Sequence, residues 1–196
     1  MNQTTAAGQR KFWMRWRVRA GYFVAILYWL LASPAPRAII CGAILAALGL
    51  GIRAAAAGYL RKDRELATSG PYAWTRNPLY FGSAFMAAGF IVAGHSWIAG
   101  ALVGVYFGVF YYAVMRTEER DLRARFGAAF EDYAARVPLF FPWPASQRSP
   151  GSAPAPSGKF SWRQYTRNRE YQALIGTIAG LGTLVLRMWI RARWGY

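Results

Sequence analysis

Long apolar runs alternate along the chain with short polar, mostly basic ones. Residues 38–51 and 79–115 contain no Asp, Glu, Lys or Arg. One membrane crossing needs roughly 20 apolar residues. The longer run therefore reads as two crossings joined by the turn Gly94-His95-Ser96. The pattern predicts spans over residues 20–32, 38–60, 79–94 and 97–115. Ser33-Pro34-Ala35-Pro36 separates the first two, and Asn77-Pro78 opens the third. A last apolar stretch, 172–186, is short and Gly-rich. It fits either a fifth crossing or a re-entrant or interfacial helix. Between 116 and 142, Leu122, Phe126, Phe130, Tyr133 and Val137 recur at helical spacing. That predicts an amphipathic helix continuing from the fourth span and lying along the membrane surface. Residues 146–159 are rich in Ser, Pro, Gly and Ala, the composition of a disordered linker. A basic segment and the last apolar stretch follow, over 160–196. The expected fold class is all-α: a polytopic membrane helix bundle with about five transmembrane helices and a cytoplasmic amphipathic helix.

Composition strengthens this picture. Of 196 residues, 55% are hydrophobic and only 16% charged, too few to cover a soluble domain. The formal net charge of +16 would suit nucleic acid, but the basic residues flank apolar spans, as the positive-inside rule expects. No nucleic-acid partner is therefore expected. In the leader, residues 1–19, Arg10, Lys11, Arg15, Arg17 and Arg19 interleave with Phe12, Trp13 and Trp16. Beside a span this reads as an interfacial anchor. No small-residue cleavage site follows it, so the leader is expected to stay attached. The loop before the second span holds only Arg37, whereas the loop after it holds Arg61, Lys62, Arg64 and Arg76. The turn at 94–96 has no Lys or Arg, and the segment after the fourth span is rich in Arg. This asymmetry predicts a multi-pass protein with a cytoplasmic N-terminus. All the carboxylates, from Asp63 to Glu170, then fall on that side. If the last stretch crosses, Arg187, Arg191 and Arg193 lie outside.

Single residues narrow the chemistry. Cys41 cannot form an intrachain disulfide, and His95 alone cannot build a His-based metal site or triad. No metal is expected. Arg53 inside the second span is either a snorkelling side chain or an anion-binding group facing the bundle interior. Glu118 and Glu119, at the end of the fourth span, are either a solvated pair balancing Arg116 and Arg120 or part of a site. Proline at a helix start is structurally ordinary, so Asn77-Pro78 alone could be a cap and a first-turn proline.

Several short elements occur in order. They are Gly70-Pro71-Tyr72, then Arg76-Asn77-Pro78-Leu79-Tyr80-Phe81-Gly82, a helical hairpin, Glu118-Glu119, Phe126-Gly127, Tyr133, and Arg136-Val137-Pro138. No element is specific alone. Together, across about residues 47–142, they resemble the membrane superfamily of isoprenylcysteine carboxyl methyltransferases and phospholipid N-methyltransferases. Asn77 stands where the carboxyl methyltransferases have histidine and is similar to the phospholipid version. The Phe-Gly to Arg-Val-Pro tail looks more like the carboxyl branch. The resemblance implies a methyltransferase core over 20–145, with S-adenosylmethionine in a cytoplasm-facing pocket under the amphipathic segment. It implies cofactor contacts at Tyr72, Asn77, Pro78, Leu79, Tyr80 and Glu118, with Glu119 by adjacency. Arg64, Leu66 and Ala67 match a segment that lies against the cofactor. Gly49 and Gly51 resemble a Gly-x-Gly of the phospholipid enzymes.

The side chains suit that cofactor. Carboxylates can pair its ammonium or accept its ribose hydroxyls. Aromatic faces can stabilise its sulfonium, and Asn77 can donate or accept. Arg116 is the candidate for an anionic substrate head and Glu119 the candidate base. The expected acceptor is a lipid or lipid-like amphiphile arriving from the bilayer. The alternatives are a small thiol or other small lipophilic acceptor, and a non-catalytic membrane scaffold. Sterol reductases, which use a nicotinamide cofactor, have larger chains with more spans.

Overall fold

The computed structural model describes residues 3–61, 65–142 and 158–194, and these form an all-helical bundle. The helices are α1 (Gln3–Leu31), α2 (Pro36–Tyr59), α3 (Pro78–Gly94), α4 (Trp97–Phe126), α5 (Ala128–Arg136), α6 (Trp162–Arg167) and α7 (Tyr171–Trp194). A single 3-10 turn, Gly70–Ala73, lies between α2 and α3. Arg64 and residues 146–157 of the predicted linker lie outside the described residues. Three helices, α2, α4 and α7, are long and apolar enough to cross a bilayer. The apolar part of α1, Val18–Leu31, and α3 are shorter apolar helices. The protein is an integral membrane helix bundle whose five apolar segments correspond to the predicted spans.

Its surface and interior have the chemistry of a bundle in lipid. Large apolar side chains such as Phe23, Ile26, Ile44, Val105, Ile178 and Leu186 are exposed. The buried set is dominated by small residues, among them Ala32, Ala46, Ala56, Ala57 and Ala93. Lipid tails are as apolar as Leu, so helices here associate through close packing of small residues rather than by hiding large ones. The tightest packing is between α2 and α3. A Cβ added at Gly42 would collide with the Gly89 carbonyl, and one at Gly49 with the Gly82 carbonyl. The reverse substitutions at Gly89 and Gly82 would collide equally with α2.

Local signals set the helix ends. Pro36 and Pro78 occupy first turns, where the missing N–H costs nothing. His95 adopts a left-handed conformation after α3, and the Ser96 side chain then accepts the Ala99 N–H at 3.4 Å to cap α4. Gly127, at φ +50°, ends α4 and starts α5. This differs from the single surface helix expected over 116–142. The fourth span instead continues unbroken to Phe126, and only α5 folds back. The periodic residues are real packing positions. Phe130, Tyr133 and Val137 are buried together, with Leu122, Phe126 and Leu66 against them. They cover the loop between α2 and α3.

The last apolar stretch runs the length of the bundle. At one end, the Asn168 side chain donates to the Ala57 and Leu60 carbonyls at the C-terminus of α2. At the other, Arg187 donates to the Ala32 and Leu30 carbonyls at 2.8 and 2.5 Å, and Arg191 donates to Ser33 Oγ at 2.7 Å. Ser33 N–H in turn donates to the Gly94 carbonyl, which fixes this as the end with the α3–α4 turn. The helix α7 is long and apolar enough to cross a bilayer and links the two ends of the bundle. The arginines at its end satisfy the orphan carbonyls of α1, where a helix C-terminus favours cations.

The glycine pairs make a direct prediction. Gly89→Val should destabilise the bundle by about 1–3 kcal/mol or more, because a carbonyl cannot move aside as a side chain can. Gly104, with nothing within 4 Å of an added Cβ, should accept Ala without loss. Unfolding of the two variants in detergent, followed by circular dichroism, compares them.

Candidate functional site

The motif segments meet at the bundle end opposite the α3–α4 turn. Between α2 and α3 the chain must turn within a few residues. Gly70, at φ +60°, and Pro71 make the 3-10 turn that buries Tyr72. The segment after α5 is then laced onto the start of α3. Arg76 N–H donates to the Pro138 carbonyl at 2.9 Å, Asn77 Nδ2 to the Leu139 carbonyl at 2.9 Å, and Thr75 Oγ1 to the Phe140 carbonyl at 2.9 Å. Tyr133 OH donates to the Tyr72 carbonyl at 2.7 Å. The Arg-Asn-Pro and Arg-Val-Pro elements, 60 residues apart in sequence, are thus one hydrogen-bonded unit. Asn77 precedes α3 but its side chain does not cap the helix. It reaches instead for Leu139, so the plain capping account of Asn77-Pro78 covers only the proline.

The adjacent carboxylates have separate partners. Glu118 accepts a 2.7 Å hydrogen bond from Tyr80 OH, which joins α4 to α3. Glu119 is only 4% exposed. Arg76 donates to one of its oxygens and Arg116 to the other, the latter at 2.7 Å. A carboxylate held by two guanidiniums is bound as an acceptor, which suits a positioning role for Glu119 better than that of a free base. Arg116 keeps half its side chain exposed. Burial pushes the Tyr72 and Tyr133 phenols above their ordinary range.

The remaining sequence candidates divide. Leu66 packs against Phe130, Tyr133 and Val137, and Ala67 follows it, half-buried. Pro78 is fully buried. The Leu79 carbonyl accepts from Ser83 Oγ at 3.0 Å and from Arg53 Nη1 at 3.3 Å. Gly49 lies in the α2–α3 contact, whereas Gly51 lines a small hollow of about 250 Å³ with Trp162, Tyr165 and Glu170. Neither glycine touches the carboxylate pair. Arg64 is outside the described residues.

Sequence reasoning missed two features. One is Arg53–Glu170: Arg53 Nε and Nη2 donate to the two Glu170 oxygens at 3.0 and 2.9 Å, and Nη1 donates to Ser83 Oγ at 2.6 Å. No periodicity links residues 117 positions apart. The other is a chamber of about 480 Å³ walled by α1, α3, α4 and α7, with Arg53 at its edge. Tyr28, Met86, Phe90, Phe107 and Tyr111 line it. The Tyr111 ring meets Tyr80 edge-on at 5.6 Å, so the chamber abuts the Tyr80–Glu118 contact. Its volume is that of an ordinary small-molecule site.

Among the described residues, two buried polar atoms, Arg76 Nε and Thr68 Oγ1, have no hydrogen-bond partner. Such atoms are rare in native interiors. Arg76 Nε lies on the guanidinium that holds Glu119, next in sequence to Glu118, so a polar ligand there would meet both a donor and a carboxylate. Among the described residues, no three His, Cys, Asp or Glu side chains are grouped to hold a metal ion.

Comparison with known proteins agrees with the motif resemblance. Residues 38–129 match the phospholipid methyltransferase family, so the family read from the motifs is borne out over that core. The chain is 38% identical over 108 residues to the cobalt-zinc-cadmium resistance protein CzcN of Cupriavidus metallidurans, covering 50% of each chain. It is 36% identical over 111 residues to the nickel-cobalt-cadmium resistance protein NccN of Alcaligenes xylosoxydans, covering 53% of this chain and 52% of the relative. It is 35% identical over 75 residues to the methanethiol S-methyltransferase of Mycobacterium tuberculosis, covering 37% of this chain and 29% of the relative. The chain thus spans about half the length of the first two relatives. No solved structure matches it.

The two carboxylates should respond differently to neutralisation. Glu119→Gln leaves the buried Arg76 guanidinium short of its counter-charge, and breaking such a pair costs about 3 kcal/mol or more. Glu118→Gln keeps a hydrogen-bond acceptor for Tyr80 and should cost under about 1 kcal/mol. Thermal unfolding in detergent should rank Glu119→Gln well below Glu118→Gln.

Proposed function

We propose that this chain is an S-adenosylmethionine-dependent methyltransferase acting on a lipid or other lipophilic acceptor that reaches the site from the bilayer. The observation that carries the reading is the Tyr80–Glu118 contact, at the border between the polar motif cluster and the apolar chamber. A methyl transfer needs both environments side by side: a polar one for the donor and an apolar one for the acceptor. When bound, the donor supplies an electrophilic methyl group on a sulfonium.

The chain's own groups do the positioning. Glu118 accepts from the donor's ammonium or ribose hydroxyls while Tyr80 holds its carboxylate in place. Arg76 is fixed by Glu119, with Nε left to donate to the ligand. Asn77, tied to Leu139, holds the covering segment closed over Tyr72 and Tyr80. Arg116, half exposed at the rim, is placed to meet a polar group of the ligand. In-line displacement gains most of its rate from such orientation, and the apolar walls keep water from competing. The loop charge asymmetry supports a cytoplasm-facing donor site. The relative named as a methanethiol S-methyltransferase favours a second acceptor class, a small thiol.

Transfer of labelled methyl groups from S-adenosylmethionine to extracted membrane lipids and to a series of alkanethiols tests the reading. Activity should rise with acceptor length, by up to about 0.8 kcal/mol per methylene until the chamber is filled. Label on lipids alone selects a lipid acceptor. Equal activity on methanethiol and long acceptors selects the small-thiol reading. No transfer to any acceptor would leave a non-catalytic homologue.

Glu118→Gln should weaken S-adenosylhomocysteine binding by about 1.5–3 kcal/mol, the scale of a charged hydrogen bond. Calorimetry on the folded variant in detergent measures it. Unchanged affinity would return Glu118 to a structural role.

A further inference from the structure

The chamber's electrostatics point to the kind of acceptor, an inference that rests on the methyltransferase reading. Among the described residues lining it, Arg53 carries the only charge. That charge is already spent, because both its Nε and Nη2 are engaged by Glu170 and its Nη1 by Ser83 and the Leu79 carbonyl. The Arg53 and Glu170 side chains are 19% and 10% exposed, so the pair is largely out of water. Four of the chamber's other polar side chains are turned onto backbone. Tyr28 OH donates to the Phe90 carbonyl, Trp29 Nε1 to the Thr183 carbonyl, Thr183 Oγ1 to the Gly180 carbonyl, and Ser83 Oγ to the Leu79 carbonyl.

Glu170 and the α7 wall lie outside the family match, which ends at residue 129. The C-terminal segment therefore adds two things to the family core: one side of the chamber, and the carboxylate that cancels its charge. We propose that the chamber is the acceptor subsite, that it takes an acceptor uncharged at its methyl-accepting end (a thiol, alcohol or unprotonated amine on an apolar body), and that Arg53–Glu170 excludes anionic ends. An anion at this position would have to draw Arg53 away and leave Glu170 buried without its cation. Breaking a buried pair corresponds to about a hundredfold or more in affinity.

Two photoreactive probes test this without any methyl donor. Both are twelve-carbon chains with a diazirine on the third carbon, one ending in a hydroxyl and one in a sulfonate. They are incubated with the full chain in phospholipid nanodiscs, irradiated, and the labelled residues mapped by mass spectrometry. The alcohol should label Ser83, Met86 or Phe107, and the sulfonate should label them at least tenfold less. Glu170→Gln leaves Arg53 uncancelled and should bring the sulfonate into the chamber. Replacing both Arg53 and Glu170 by Met removes the charges together and should restore its exclusion.

Equal labelling of the wild-type chamber by the two probes would overturn the proposal. So would labelling by the alcohol only on lipid-facing residues such as Ile178 and Trp189. The wild-type comparison stands even if a variant fails to fold. Selective labelling with no methyl transfer to any acceptor would overturn the enzymatic reading and leave the chamber's selectivity intact.

Discussion

Two glycine pairs, Gly42 with Gly89 and Gly49 with Gly82, let the backbones of α2 and α3 touch, and the position of the candidate site follows from that contact. Close approach puts Arg53 of α2 within hydrogen-bonding reach of Ser83 and the Leu79 carbonyl on α3. It also sets where α3 begins, and hence where Arg76, Asn77 and Tyr80 stand relative to α4. In lipid, no hydrophobic gain rewards bringing two helices together. Small residues and the polar bonds that their approach permits must supply the affinity.

The charges of the chain are arranged around the same contact. At one end of the bundle, Glu119 is clamped by Arg76 and Arg116, and Glu118 is held by Tyr80. At the other end, Arg187 and Arg191 occupy the carbonyls and hydroxyl that end α1 and follow it. Between them, Arg53 and Glu170 neutralise each other beside the apolar chamber. Each buried charge thus has a named partner, as ions removed from water require. The candidate site differs in one respect: it keeps Arg76 Nε and Thr68 Oγ1 buried without partners.

Much of this was legible in the sequence, for physical reasons. A bilayer imposes a length and a polarity on every crossing, so the apolar runs predicted the helices, and the motif order predicted which loops meet. The pattern Leu122 to Val137 marked true packing positions. It could not show that the positive φ of Gly127 would break the run and turn α5 back over Tyr72. For the last stretch, apolar length alone left two alternatives. Asn168 and Arg191 tie its ends to opposite ends of the bundle, a placement that apolar length alone does not give. Gly49-Leu50-Gly51 read as one motif, but the helical twist sends its glycines to different neighbours. Arg53 kept two readings because its partner Glu170 comes from a segment with no periodic or motif link to it.

The proposed methyl transfer requires a sulfonium donor to bind where α3, α4 and the covering segment meet. Direct ultraviolet crosslinking of methyl-labelled S-adenosylmethionine to the protein in nanodiscs, followed by peptide mapping, tests it most simply. Label should fall within residues 68–80 or 111–119, be abolished by excess S-adenosylhomocysteine and be sharply reduced in Glu118→Gln. Label that resists competition, or that maps to α1 or the far end of α7, would contradict it.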